Sequence, residues 1–207
     1  MNRRTLRCET RTFPIRGVFR ISRGSKTQAD AVIVRIAEGE VTGSGECIPY
    51  ARYGETVASV SAQIASVADA VCDGLDLHGL QTLLPPGSAR NALDCALWDL
   101  RSKISGHSVS GFAGLTAPLS PVVSAFTLSL DSASAMADVA RAHSHLPLLK
   151  LKLGGDGDLE RVRAVREAAP HARLMADANE SWGPDHLALY LPEFATLGVE
   201  LLEQPLP

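Results

Sequence analysis

The sequence predicts an α+β unit followed by part of a parallel (β/α) barrel of the TIM type, with about four of eight strands inside its 207 residues. Three observations predict this. The first half reads as a β-hairpin followed by helices. The second half alternates strand and helix, the pattern of a parallel sheet with covering helices. In that second half, polar residues at four successive strand ends, Thr127, Lys152, Asp177 and Glu203, stand 25, 25 and 26 residues apart.

In the first half, Ala31 to Ile36 (AVIVRI) is a β-branched run. Gly39 and Glu40 can turn it, and Val41 to Cys47 returns as the second strand of a hairpin. Gly43 and Gly45 lie in that return strand. No helix opens on them, so a dinucleotide-binding G-x-G is disfavoured. Glu55 to Val71 carries apolar residues at helical spacing, and Ser88 to Ile104 does so more strongly, with Gly106 as its stop.

The character changes near Pro118 to Pro121, which divides the chain into 1–117 and 118–207. The strands that follow are expected over Val122 to Leu130, Leu148 to Leu153, Arg173 to Asp177 and Val199 to Glu203. Helices are expected over Ser132 to His143, Asp158 to Ala169 and Pro184 to Leu197. A constant repeat with a polar residue at each strand end favours a barrel, whose chemistry sits at that face. An open doubly wound sheet gathers its chemistry at one switch point instead. Eight such units need about 208 residues, so a barrel beginning near residue 121 is expected to run to about residue 330.

Composition narrows the function. Hydrophobic residues make up 45% and the net charge is −3, with no basic block. Nucleic acid and anionic membranes are therefore not expected partners. Cys8, Cys47, Cys72 and Cys95 form no C-x-x-C pair, so a zinc ribbon is not expected and reduced thiols are. The polar start and the lack of a long apolar run point to a cytoplasmic protein. His143 and His145 suit a solvated helix end, and the other histidines suggest no metal spacing.

The candidate chemistry lies at the strand ends. In L-L-K-L-K-L, Lys150 and Lys152 share one strand face and the leucines share the other. Inside a barrel, desolvation and mutual repulsion are expected to lower a lysine pKa toward that of a useful base. On a half-exposed strand the same lysines are simply solvated. Asp177 and Glu203 are expected at the barrel mouth on neighbouring strands, where two carboxylates call for a cation. Hard oxygen donors suit Mg2+. The plainer alternative for Asp177 is a helix cap.

K-x-K, D-A-N and E-Q-P on successive strands resemble the muconate-lactonizing branch of the enolase superfamily. Gly43 to Glu55 (GSGECIPYARYGE), Arg90 to Leu100 (RNALDCALWDL), Asp177 to Trp182 (DANESW) and Leu202 to Pro207 (LEQPLP) resemble the dipeptide epimerases of the L-Ala-D/L-Glu type. The resemblance covers nearly the whole chain. It implies that the first unit is a capping domain and that the barrel takes a small dipeptide. It implies acid–base catalysis of α-proton transfer by Lys152, with Lys150 keeping Lys152 neutral and steadying negative charge. It implies Asp177 and Glu203 as two of three Mg2+ ligands, the metal binding the substrate carboxylate and stabilising the enolate. Arg23, Tyr53 and Thr127 become substrate-binding candidates, Arg23 as the partner of an acidic side chain. A mobile surface arginine is the alternative for Arg23. The third ligand and the opposing lysine are expected on later strands. O-succinylbenzoate synthase, muconate cycloisomerase and a non-catalytic remnant are the competing functions. Self-association through exposed barrel edges is the expected behaviour of the chain alone.

Overall fold

The computed structural model describes residues 3–115 and 119–207. The expected boundary between 117 and 118 lies outside the described residues. The chain divides into two compact units. One comprises Met1–Pro14 with Gln28–Ser120, the other Ile15–Thr27 with Pro121–Pro207.

The first unit is built on β1 (Thr5–Ile21), β2 (Gly24–Glu38) and β3 (Val41–Cys47), hydrogen-bonded in that order. The tip of the β1–β2 hairpin belongs to the second unit. β2 and β3 pair antiparallel from Val32↔Cys47 to Glu38↔Val41, so Gly39 and Glu40 form the expected two-residue turn, with Gly39 at φ 61°. The α-helices that follow among the described residues are α1 (Val57–Ser66), α2 (Ala68–Cys72), α3 (Leu77–Leu83), α4 (Ser88–Ser105) and α5 (Val109–Phe112). Val32, Val34 and Ile36 alternate onto one sheet face and share a core with Val60, Ile64, Leu93, Ala96 and Leu100.

The glycines of β3 have a packing role. A Cβ on Gly45 would collide with the Ala92 carbonyl and the Ala96 amide, and one on Gly43 with the Ala96 carbonyl and Leu100. They let α4 lie directly on the sheet, which accounts for G-S-G without any phosphate.

The single helix expected over Glu55 to Val71 is two. Thr56 takes the N-cap of α1, its side chain accepting from the Ser59 amide, and the chain breaks at Val67 with ψ 8°. Glu55 therefore lies outside the helix. Its carboxylate accepts from the Ser88 amide (2.7 Å) and hydroxyl (2.5 Å) and from the Tyr50 amide (3.0 Å). Gly87, the N-cap of α4, has no side chain to cap with, so Glu55 supplies that cap from a distance of 33 residues.

The second unit adds β4 (Phe126–Leu128), α6 (Ala133–Ala142), β5 (Leu148–Lys152), α7 (Asp158–Ala168), β6 (Arg173–Asp177), α8 (Pro184–Thr196) and β7 (Val199–Glu203). The four strands form one parallel sheet in chain order, as the alternation predicts. Leu149, Leu151 and Leu153 are fully buried in one cluster with Met136, Val162, Val165 and Phe194 of the helices. Each contributes about 2 kcal/mol by burial. The opposite face carries the lysines.

Two details depart from the expected repeat. β4 is only three residues long, and Val122 is 91% exposed. A strand paired on one side has fewer backbone bonds to extend it. The register also shifts between pairs. Lys152 is opposite Asp177, and Asp177 is opposite Glu203, but Thr127 is opposite Lys150. Thr127 thus stands one inward-facing layer below Lys152, despite the equal sequence spacing. The 26-residue step has its own cause. Leu174 pairs Val199 and Met175 pairs Leu201, so a bulge at Glu200 adds one residue to β7.

Candidate active site

Four charged side chains meet on the lysine-bearing face of the second sheet. Lys152 Nζ lies 2.5 Å from Asp177 Oδ2. Lys150 Nζ lies 3.2 Å from the same oxygen and 2.6 Å from Glu203 Oε2. The Asp177 side chain is 1% exposed, while that of Glu203 remains 39% exposed. Strand alternation sets Lys150 and Lys152 on one face, and the register sets the carboxylates beside them.

The electrostatics follow from this pairing. Burial alone pushes the Asp177 carboxyl up, but hydrogen bonds from Lys152, the Asn179 amide and Lys150 outweigh it and hold Asp177 below the usual carboxylate range. Burial likewise pushes Lys150 down, but its bonds to Glu203 and Asp177 prevail and raise it. The expectation of a lowered pKa therefore fails for Lys150. Neighbouring carboxylates stabilise its charge more than desolvation opposes it.

The loop after β6 borders the cluster, with Asn179 touching Lys152 and Asp177. Asn179 and Glu180 both adopt positive φ, 47° and 63°, uncommon for residues other than glycine and often found at functional sites. The Glu180 amide donates to the Gln204 carbonyl at 2.7 Å, and the Trp182 amide to the Pro205 carbonyl at 3.0 Å. Trp182 is 2% exposed and packs edge-on against Tyr190 and Phe194. Its Nε1 donates to Asp158 Oδ2 at 2.8 Å. Asp158 is fully buried, and it also accepts from the Gly154 and Gly155 amides and from Arg161. Asp158 thus ties the loop after β5 to the loop after β6.

Of the substrate-binding candidates, Arg23 reaches the loop after β6. Its Nη1 donates to the Asn179 carbonyl at 2.6 Å and lies 3.4 Å from Glu180 Oε2. Thr127 stands opposite Lys150 in the same layer, one layer below Lys152. Tyr53 belongs to the first unit, 74% exposed and edge-on to Tyr50. Sequence reasoning missed Asn179 and Asp158. Asn179 was visible inside D-A-N-E-S-W without a role. Asp158 read only as a helix start, because nothing local shows that a carboxylate will be buried against a distant indole.

Residues 3–114 match the family model described as mandelate racemase / muconate lactonizing enzyme, N-terminal domain. The chain belongs to this family, within the enolase superfamily. Residues 132–207 match the model of the enolase C-terminal domain-like fold. An L-Ala-D/L-Glu epimerase of Escherichia coli is 44% identical over 99% of this chain and 64% of its own length. An N-acetyl-D-glutamate racemase of Pseudoalteromonas is 39% identical over 85% of this chain and 56% of its own. Among solved structures, an enolase family member from Agrobacterium tumefaciens with homology to dipeptide epimerases, holding sodium and L-Ala-L-Glu, superposes with TM-score 0.94. It is 47% identical, over 99% of this chain and 62% of that one. A dipeptide epimerase of Enterococcus faecalis, complexed with Mg and L-Leu-L-Tyr, gives TM-score 0.88 at 27% identity, over 100% of this chain and 62% of that one. The chain thus spans less than two thirds of the length of these family members. No helix among the described residues is long and apolar enough to cross a membrane.

The donor set fits a hard divalent cation in part. Asp177 and Glu203 offer carboxylate oxygens, and the single Lys150 ammonium touches both, so one cation can bridge them. Among the described residues no group of three His, Cys, Asp or Glu side chains converges on a metal position.

Proposed function

We propose that this chain carries the substrate-facing lysine pair and two metal-binding carboxylates of a dipeptide epimerase of the L-Ala-D/L-Glu type. The observation that supports it is the cluster of Lys152, Lys150, Asp177 and Glu203 on one face of a parallel sheet. A relative named as an L-Ala-D/L-Glu epimerase and a structure holding L-Ala-L-Glu support the same substrate class.

Lys152, in its neutral form, takes the α-proton of the substrate's acidic residue. The electron pair left behind delocalises into the adjacent carboxylate as an enolate. Lys150 lends positive charge where negative charge develops. Asp177 and Glu203 would hold Mg2+, which when bound supplies Lewis-acid stabilisation of the substrate carboxylate. Arg23 pairs with the acidic side chain, and Thr127 contacts the substrate. Both lysines lie on β5 and therefore address one face of the α-carbon. Inversion needs a proton carrier on the other face too.

The test is proton exchange in D2O. The 207-residue chain is expected to give no net epimerization of L-Ala-L-Glu. A protein joining it to the remaining third of a relative is expected to epimerize. In that protein Lys152→Ala abolishes exchange from one epimer and spares some from the other. Equal loss for both epimers would overturn the face assignment, and no loss for either would remove Lys152 from the mechanism. A second reading follows from a chloromuconate cycloisomerase of Cupriavidus necator, 34% identical over 58% of this chain. Turnover of a muconate in place of the dipeptide would favour it.

A further inference from the structure

Asn179 makes contacts in three directions. Its main-chain carbonyl accepts from Arg23 Nη1 at 2.6 Å and from Ser22 Oγ at 3.3 Å. Its main-chain amide donates to Asp177 Oδ1 at 3.0 Å. Its side-chain Oδ1 accepts from Lys152 Nζ at 3.3 Å. Ser22 and Arg23 are the two residues that join β1 to β2, so one residue touches both the hairpin tip and the lysine. Asn179 is 6% exposed, and its φ of 47° lies in the left-handed region.

We propose that Asn179 is a positioning residue that couples the seating of the hairpin tip to the placement of the Lys152 ammonium. The carbonyl and the side-chain oxygen belong to one residue in a sparsely populated conformation. Such a conformation persists only while its surroundings hold it. With Ser22 and Arg23 on the carbonyl, the peptide plane is fixed and Oδ1 faces Lys152. With the tip withdrawn, the backbone can relax toward the right-handed region, and Oδ1 turns away from Lys152. Asparagine suits the position because it tolerates the left-handed region and brings an acceptor on a short arm. The coupling must be reciprocal, so removing the ammonium must also loosen the tip.

The consequence for proton transfer rests on the epimerase reading. The coupling does not, and it is measurable in the 207-residue chain without turnover. The readout is amide hydrogen exchange over residues 19–27, with the amides of β5 as the internal reference. Asn179→Gly keeps the positive φ available and deletes the side chain. It is expected to speed exchange at the tip by about 3- to 10-fold, the equilibrium equivalent of one hydrogen bond. Lys152→Met is expected to do the same alone and to add less than about twofold in the Asn179→Gly background, because the two changes break one link. Asn179→Asp keeps an acceptor oxygen and is expected to stay within about twofold of the parent.

A purely structural Asn179 would anchor the tip through its carbonyl, which none of these substitutions removes, and tip exchange would ignore Lys152. The proposal is overturned if Lys152→Met speeds tip exchange equally in both backgrounds or in neither. It is also overturned if Asn179→Asp behaves like Asn179→Gly, or if β5 loosens along with the tip. If the coupling is found and the D2O experiment fails, the epimerase reading falls and the positioning role stands.

Discussion

Lys150 on β5 reaches past β6 to Glu203 on β7, with Nζ 2.6 Å from Oε2. The same ammonium lies 3.2 Å from Asp177 on the strand between. A positive charge thus already bridges the two carboxylates proposed to hold the metal. Any cation that binds there must displace or share it.

That competition predicts weak metal binding by this chain. Mg2+ is expected to bind with a Kd of about a millimolar or weaker, as for sites with few carboxylates. Lys150→Met is expected to tighten binding about tenfold, or ~1.4 kcal/mol. Asp177→Asn is expected to remove it. Titration calorimetry decides, and a tight site indifferent to Asp177→Asn would sink the ligand assignment.

The close approach of α4 to β3 predicts intolerance at Gly45. Gly45→Ala is expected to destabilise the first unit by about 2–3 kcal/mol, because the Ala92 and Ala96 backbone must retreat. Thermal melts followed by circular dichroism report it. An unchanged melting temperature would mean that α4 shifts at little cost.

The remote cap predicts an acid dependence. Hydrogen bonds from the Ser88 hydroxyl and amide hold Glu55 below the usual carboxylate range. The folded-state pKa is depressed, so its stabilisation is fully present above the unfolded value of about 4.3. It is lost as pH falls through the lowered folded value. Glu55→Gln is expected to cost about 1 kcal/mol at pH 7, as for loss of a helix cap. It should cost nothing once wild-type Glu55 is protonated. Urea unfolding of both proteins at neutral and acid pH checks this. A pH-independent difference would contradict a charge-assisted cap.

The second sheet predicts self-association of the 207-residue chain on its own. β4 and β7 are its outer strands, and Val122, Val123 and Leu201 are 91%, 52% and 46% exposed. Exposed apolar side chains beside an outer strand favour pairing between copies. Light scattering after size exclusion is expected to show dimers or larger species. A monodisperse monomer with a sharp cooperative melt would show that the closure penalty is small.

Much of the fold was legible because its signals are local. β6, β7 and β3 begin and end at the expected residues, and α4 follows its apolar stripe to Gly106. β1 was not legible. Its 17 residues are mostly exposed, with Glu9 and Thr12 pairing Arg35 and Asp30, so no apolar alternation marks it. Charged edge strands owe their conformation to a partner that a local pattern does not name.

The sequence by itself determined which face of β5 carries the lysines, because alternation along a strand needs no partner. It determined the carboxylates at the ends of β6 and β7, and the packing of Leu149, Leu151 and Leu153 away from them. Only the tertiary structure decided depth and partnership. It set Thr127 against Lys150 instead of Lys152, placed the extra residue of the last repeat in a bulge, and turned Lys150 upward in pKa rather than downward. It also brought Ser22 and Arg23 to Asn179, more than 150 residues away along the chain. Strand register and electrostatic balance depend on distances between segments, and those distances are fixed only when the segments pack.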